Sequence, residues 1–158
     1  MSTVDSPERE PVRLDGAAPR LLIIQAPYYA GVVGGMRAGA ERVLAVVEAK
    51  LTTVDVAGAF ELPAALRMAL RRGDWEGVLL LGCVVRGETD HYDFICDAVC
   101  HGVMAITAET GAAVGFGLLT VDRLEQAEAR SRDDRMNKGA EAAHALLAQV
   151  ALKRRWSA

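Results

Sequence analysis

No apolar run in this chain comes near the roughly 20 residues that a membrane-spanning helix needs, so its hydrophobic segments are expected inside a globular core. A basic excess is missing as well. Its 18 Lys and Arg stand against 21 Asp and Glu, for a formal net charge of −3, which argues against a dedicated nucleic-acid binder. Cysteine is scarce, with three residues at 83, 96 and 100. The opening "MSTVDSPEREPVRLDGAAPR" has no apolar core of a secretory signal, so a disulfide framework is not expected. A glycine-rich phosphate fingerprint is also lacking, because "GVVGGMRAG" sits in a helical pattern and does not have the GxGxxG spacing. Internal repeats, low-complexity tracts and a second-domain linker are not found either. The expectation is a cytoplasmic protein with a flexible arm over residues 1–18 and one domain over 19–158, with no membrane or nucleic-acid partner.

What is present is enough for a sizeable core: 158 residues, 51% apolar and 25% charged. Four short apolar runs read as strands, "LLIIQA" (21–26), "LTTVDV" (51–56), "GVLLLGCVV" (77–85) and "AVGFGLLTV" (113–121). Helical spacing fills the gaps. One stripe carries Val32, Met36, Ala40, Val43 and Val47. "ELPAALRMALRRG" has Pro63 suited to a first turn and Gly73 to a C-terminal cap. Over 91–110 an apolar face gathers Phe94, Ile95, Ala98, Val99, Gly102, Val103 and Ile106. Two further helices, about 122–131 and 137–154, follow without an intervening strand, the last ending in the cations Lys153, Arg154 and Arg155. Cys96, Cys100 and His101 fall near one helical face, yet the apolar stretch around them reads the thiols as core residues, and no metal site is assigned.

Strands separated by helices of this length imply βαβ units and a parallel sheet covered on both faces. The expected fold is α/β, a flavodoxin-like three-layer α/β/α sandwich with a four-stranded sheet in the order 2-1-3-4. In such sheets ligands bind beyond the carboxyl ends of the strands where the order reverses, here between strands 1 and 3. Strand 1 ends in "APYY", strand 3 in "RGETDHYD" and strand 2 in "AGAFELP", so the least core-like loops converge on the predicted pocket.

Taken together, "VAGAFELPAA", "LGCVVRGETDHYDFIC", "FGLLTVDRLEQAEAR" and "NKG" closely resemble the lumazine synthase family, in its order and spacing from residue 21 to about 155. The resemblance implies condensation of 5-amino-6-(ribitylamino)uracil with 3,4-dihydroxy-2-butanone 4-phosphate to 6,7-dimethyl-8-ribityllumazine, releasing phosphate and water, the penultimate step of riboflavin biosynthesis, with no cofactor. Tyr28 then aligns with the aromatic that stacks on the pyrimidine. Gly58, Ala59 and Phe60 offer contacts at a helix start, and Glu61 takes the ribityl hydroxyls. Cys83, Val84 and Val85 join the substrate contacts at the end of strand 3. Glu88 and Thr89 supply amides for the phosphate, where Gly87 lets the backbone approach. His91 aligns with the general acid/base, a group that titrates near neutral pH.

Phe116 and Arg130 resemble residues that the adjacent subunit supplies, Arg130 as the phosphate clamp. That implies a homopentamer with active sites at subunit interfaces, with decamers or 60-mers in some members of the family. The shell formers' glycine-containing kink is replaced here by the charged "SRDDRMNKG", which favours an isolated pentamer. Three positions depart from the family pattern: Tyr29 stands where Asn follows the aromatic, Pro27 where Arg often precedes it, and Ala57 replaces Pro. A non-catalytic flavin or lumazine binder and a shell-forming paralogue are the competing readings. Glu61, His91, Phe116 and Arg130 together favour the enzyme. Arg86 is read as structural, pairing with a neighbouring carboxylate.

Overall fold

The computed structural model describes residues 12–157. Four parallel strands, β1 (Arg20–Gln25), β2 (Lys50–Asp55), β3 (Gly77–Val85) and β4 (Ala113–Val121), form one sheet in the order β2-β1-β3-β4. Its register runs Ile23 beside Thr53 and Leu79, and Leu79 beside Gly115. The α/β class, the four strands and their order are those expected from the sequence. Five helices complete the described chain: α1 (Ala30–Ala45), α2 (Leu62–Arg72), α3 (His91–Thr110), α4 (Leu124–Glu128) and α5 (Lys138–Ser157).

β1 and β3 are apolar without alternation because helices cover both of their faces. Odd-numbered residues (Leu21, Ile23, Leu79, Leu81, Cys83) pack with α1 and α5. Even-numbered ones (Leu22, Ile24, Val78, Leu80) pack with α2 and α3. The period-2 geometry of a strand thus divides one apolar run between two cores. Pro63 lies in the first turn of α2, and Gly73 ends that helix at φ 71°, a left-handed conformation that glycine adopts without strain.

Packing explains two of the α1 glycines: a Cβ on Gly35 would lie 2.4 Å from the Ser131 carbonyl oxygen and one on Gly39 2.3 Å from Asn137 Oδ1, whereas Gly31 and Gly34 would meet nothing within 4 Å. α1 and α5 cross so closely that a Cβ on Gly139 would lie 1.9 Å from the Met36 carbonyl oxygen. Buried Asn137 ties this crossing together. Its Nδ2 donates to the carbonyls of Gly35 (3.0 Å), Ser131 (3.1 Å) and Arg132 (2.9 Å), and its Oδ1 accepts from the Ala140 amide (2.9 Å), capping α5.

Several expectations are corrected. The sheet is not covered throughout: all six β2 residues are exposed, because the helices sit over the centre of the sheet. On α3 the inward stripe is narrower than the apolar pattern, with Val99 and Val103 buried but Phe94 and Ala98 exposed. Cys96 is half-buried and Cys100 exposed, so the latter is not a core thiol. α4 is one short turn of helix. It starts where the Gln126 side chain accepts from the Asp122 and Arg123 amides, and the chain then turns toward Asn137. α5 continues three residues past the expected end, to Ser157.

Of the arm expected over residues 1–18, residues 1–11 lie outside the described residues. Val12 and Leu14 pack against the α1–α5 core, and Arg154 donates to the Ala17 carbonyl at 2.8 Å.

Candidate active site

Where β1 ends, the Ala26 amide donates to Leu81 (2.9 Å), and the chain turns through Pro27–Tyr29 into α1. The turn separates its two aromatics. Tyr29 packs edge-on to Tyr28, with ring centroids 5.1 Å apart, and rests against the core, while Tyr28 stands 78% exposed. Burial, then the neighbouring Cys83 and Tyr28, raise the Tyr29 hydroxyl above its ordinary pKa. An exposed ring set against a half-buried neighbour offers a π-face to a flat ligand.

β2 ends through Val56, whose amide donates to Gln25 (2.8 Å), and the turn Ala59–Glu61 leads into α2. A Cβ on Gly58 would lie 3.2 Å from Glu61 Oε2, so this glycine leaves space for the carboxylate over the turn. At the end of β3, Cys83 is buried and its thiol is pushed up to about 11 by desolvation, so it remains a neutral part of an apolar floor. Exposed His91 opens α3 beside these elements.

Together they line an open recess of about 720 Å³ at the carboxyl ends of β1, β2 and β3. It brings together nine of the residues singled out in the sequence: Tyr28, Gly58, Ala59, Phe60, Glu61, Cys83, Val84, Val85 and His91.

Phe116 and Arg130 are not among them. They line a second recess, about 550 Å³, that follows β4 and is closed by Tyr92, Gln126, Lys138 and Glu141. Arg130 is held there from two directions: its Nη1 donates to the Gln126 carbonyl (2.8 Å), and its own carbonyl accepts from the Lys138 amide (2.8 Å). Lys138 pairs with Glu141 in the first turn of α5. This recess is polar where the first is apolar, lined by Arg130 and Lys138, the carboxylates Asp122 and Glu141, and the partly exposed Phe116.

The loop 87–90 stands between the recesses, with His91 in the wall of the first and Tyr92 in the wall of the second. Glu88 and Thr89 are exposed on this loop and line neither recess. α3 receives no side-chain cap from Asp90, and the amides of Gly87, Glu88 and Thr89 make no backbone hydrogen bond among the described residues. Free amides at the start of a 20-residue helix suit an anion. Arg86 pairs with Asp93 through two bonds of 2.8 Å and with Asp122 at 3.2 Å, as its structural reading expects.

Tyr29, noted in the sequence only as a departure from the family pattern, and Ile95, noted only on an apolar face, line the first recess, and Tyr92, Gln126, Lys138 and Glu141 line the second; none was expected as a site residue. For Lys138 and Glu141 a signal was present: opposite charges three apart in a first turn beside the "NKG" motif. Tyr92 and Gln126 are placed by the chain path and carried no signal.

Fold and recesses define a doubly wound α/β protein with one open recess at the carboxyl ends of its strands and a second along β4, the kind of place where small molecules bind in such folds. A sequence model described as 6,7-dimethyl-8-ribityllumazine synthase matches residues 18–154. A 6,7-dimethyl-8-ribityllumazine synthase of Methylobacterium radiotolerans is 41% identical over 138 residues, covering 87% of this chain and 84% of that protein. One from Kineococcus radiotolerans is 42% identical over 153 residues, 95% of this chain and 92% of the relative. The 6,7-dimethyl-8-ribityllumazine synthase 1 of Caulobacter vibrioides is 42% identical over 144 residues, 89% and 94% of the two chains. The chain belongs to the 6,7-dimethyl-8-ribityllumazine synthase family, and its activity is lumazine synthesis in riboflavin biosynthesis.

Proposed function

We propose that each working site is assembled from two copies of the chain: the strand-end recess of one subunit facing the β4 recess of the next, within a homopentamer. The observation that carries this reading is the separation of Tyr28, Glu61 and His91 from Phe116 and Arg130 into two open recesses of one chain. In the reaction the ribitylaminouracil stacks on Tyr28 over the Cys83–Val84–Val85 floor, with Phe60 alongside and its ribityl hydroxyls donating to Glu61 and meeting the backbone of Gly58 and Ala59. The four-carbon phosphate rests against the Glu88 and Thr89 amides and the guanidinium of Arg130 from the neighbouring copy.

Schiff-base formation, loss of phosphate and ring closure each move protons, and His91 serves these transfers. Positioning two reactive substrates carries much of the acceleration, so loss of His91 slows turnover without abolishing it.

Self-association is supported by what one copy leaves uncovered. α3 is apolar on its outer face as well, where Phe94 is 72% and Met104 66% exposed, and the β2 edge carries half-exposed Leu51 and Val54. An isolated pentamer remains the preferred assembly, given the charged 131–136 segment, which folds on itself through the Asp134 carboxylate and the Met136 amide (2.7 Å).

Mixing tests the shared site. Arg130→Ala and His91→Ala subunits, each impaired alone, are unfolded together and reassembled in equal amounts. In a ring with shared sites, about one quarter of the sites regain both side chains, and activity rises above either parent. Activity at the mean of the two parents would refute a shared site.

A further inference from the structure

The loop 87–90 is held by little of its own packing. All four residues are exposed, and a Cβ at Gly87 would meet nothing within 4 Å. The Asp90 carbonyl, at its far end, accepts from the Asp93 (3.0 Å) and Phe94 (3.2 Å) amides, and one side chain reaches across the rest. Arg86 begins the loop, its amide donating to the Val121 carbonyl at 2.9 Å. Its guanidinium bonds both Asp93 oxygens at 2.8 Å, in the first turn of α3 beyond the loop. Nε donates to Asp122 at the end of β4 (3.2 Å), and the group lies over the Tyr92 ring at 4.1 Å. A planar fork satisfies all three partners together, which an ammonium cannot do.

We infer that Arg86 is a positioning residue for the reaction: by tying Asp93, Asp122 and Tyr92 to the end of β3, it holds the 87–90 loop and the start of α3 in the geometry that receives the phosphate. This rests on the reading of that loop as the phosphate site. Ion pairs this exposed contribute little to global stability, so the consequence falls on loop geometry. The Arg86 hydrogen bonds hold the Asp93 carboxyl below its usual range, consistent with a persistent pair.

Asp93 separates positioning from simple charge. Asp93→Asn removes a negative charge near an anion site, so an electrostatic role alone predicts a lower KM for the phosphate-bearing substrate. Positioning predicts the opposite sign, because the fork loses its partner. The experiment measures KM for each substrate, kcat and assembly size in Arg86→Gln, Arg86→Lys, Asp93→Asn and the Arg86→Gln/Asp93→Asn double variant, with Arg130→Ala alongside.

The expected result is a KM for dihydroxybutanone phosphate raised about ten-fold in Asp93→Asn, with KM for the ribitylaminouracil within about two-fold. Arg86→Lys fails to restore the phosphate KM, and the double variant is no worse than the weaker single one. A lowered phosphate KM in Asp93→Asn, or recovery in Arg86→Lys, overturns the inference. If Arg86→Gln fails to assemble, Asp93→Asn still decides. Should Arg130→Ala raise the phosphate KM while Asp93→Asn leaves it unchanged, the inference falls and the site reading stands. If Arg130→Ala leaves that KM unchanged too, the site reading itself fails.

Discussion

Replacing Asn137 is the most informative single perturbation of the framework behind Arg130. The side chain is 2% exposed, and its Nδ2 serves three carbonyls while its Oδ1 caps α5. Two N–H hydrogens shared by three acceptors amount to about two net hydrogen bonds, worth about 1 kcal/mol each. The lost cap adds about 1 kcal/mol. Asn137→Ala is therefore expected to cost about 3 kcal/mol, less whatever water entering the vacated space restores. Asn137→Asp is expected to cost more at neutral pH despite its closer shape. It keeps the cap but turns a carboxylate toward three carbonyl oxygens, which raises the acid's folded pKa above its unfolded value. Its penalty is small below the ordinary carboxylate range and grows as pH rises through and above it.

Thermal and urea unfolding of wild type and both variants, at one protein concentration to hold assembly constant, measures the order. Because the Arg130 carbonyl accepts from the Lys138 amide next to Asn137, the phosphate KM of Asn137→Ala is expected to rise as well. A loss under about 1 kcal/mol, or Asn137→Asp milder than Asn137→Ala at pH 7, would refute the reasoning.

Three further outcomes are expected. Glu76, held below its ordinary pKa chiefly by its hydrogen bond from Arg154, contributes stability that is present above its unfolded pKa and lost as pH falls through the folded one. Glu76→Gln therefore loses about 1 kcal/mol at neutral pH, and the gap to wild type closes in acid denaturation scans. Tyr28→Ala removes an exposed stacking face and raises KM for the ribitylaminouracil about ten-fold, with the phosphate KM little changed in steady-state assays. Phe94→Asp, on the outer face of α3, leaves the far-ultraviolet circular dichroism intact but shifts sedimentation toward smaller species.

The strand-end recess was legible in sequence because its residues come in short contiguous motifs at the ends of apolar runs. Nine of the expected residues meet there for that reason. Glu88 and Thr89 were legible as a turn before a helix, but only the folded path of the loop shows that they stand between the two recesses and line neither. Tyr92 carried no signal because adjacent helical residues diverge by about 100°, and only the packing of α3 on the sheet sends it to the second recess.

By itself the sequence determined the strands, the helices and their parallel alternation. Periodicity records which side of each segment is apolar, and the order expected of a flavodoxin-like sandwich with these elements, β2-β1-β3-β4 with three converging loops, is the one found. Tertiary structure decided what covers those apolar sides. Phe94 on α3 and Leu51 and Val54 on the β2 edge are as apolar as buried residues, yet they stay exposed because the helices cover only the centre of the sheet. It also decided that Arg130 and His91 lie in different recesses of the same chain, since contacts between residues distant in sequence are fixed by helix crossings such as that of Gly139 on Met36. A hydrophobic pattern marks a surface as suited to burial; only the folded chain shows which surfaces it has buried for itself and which it leaves exposed.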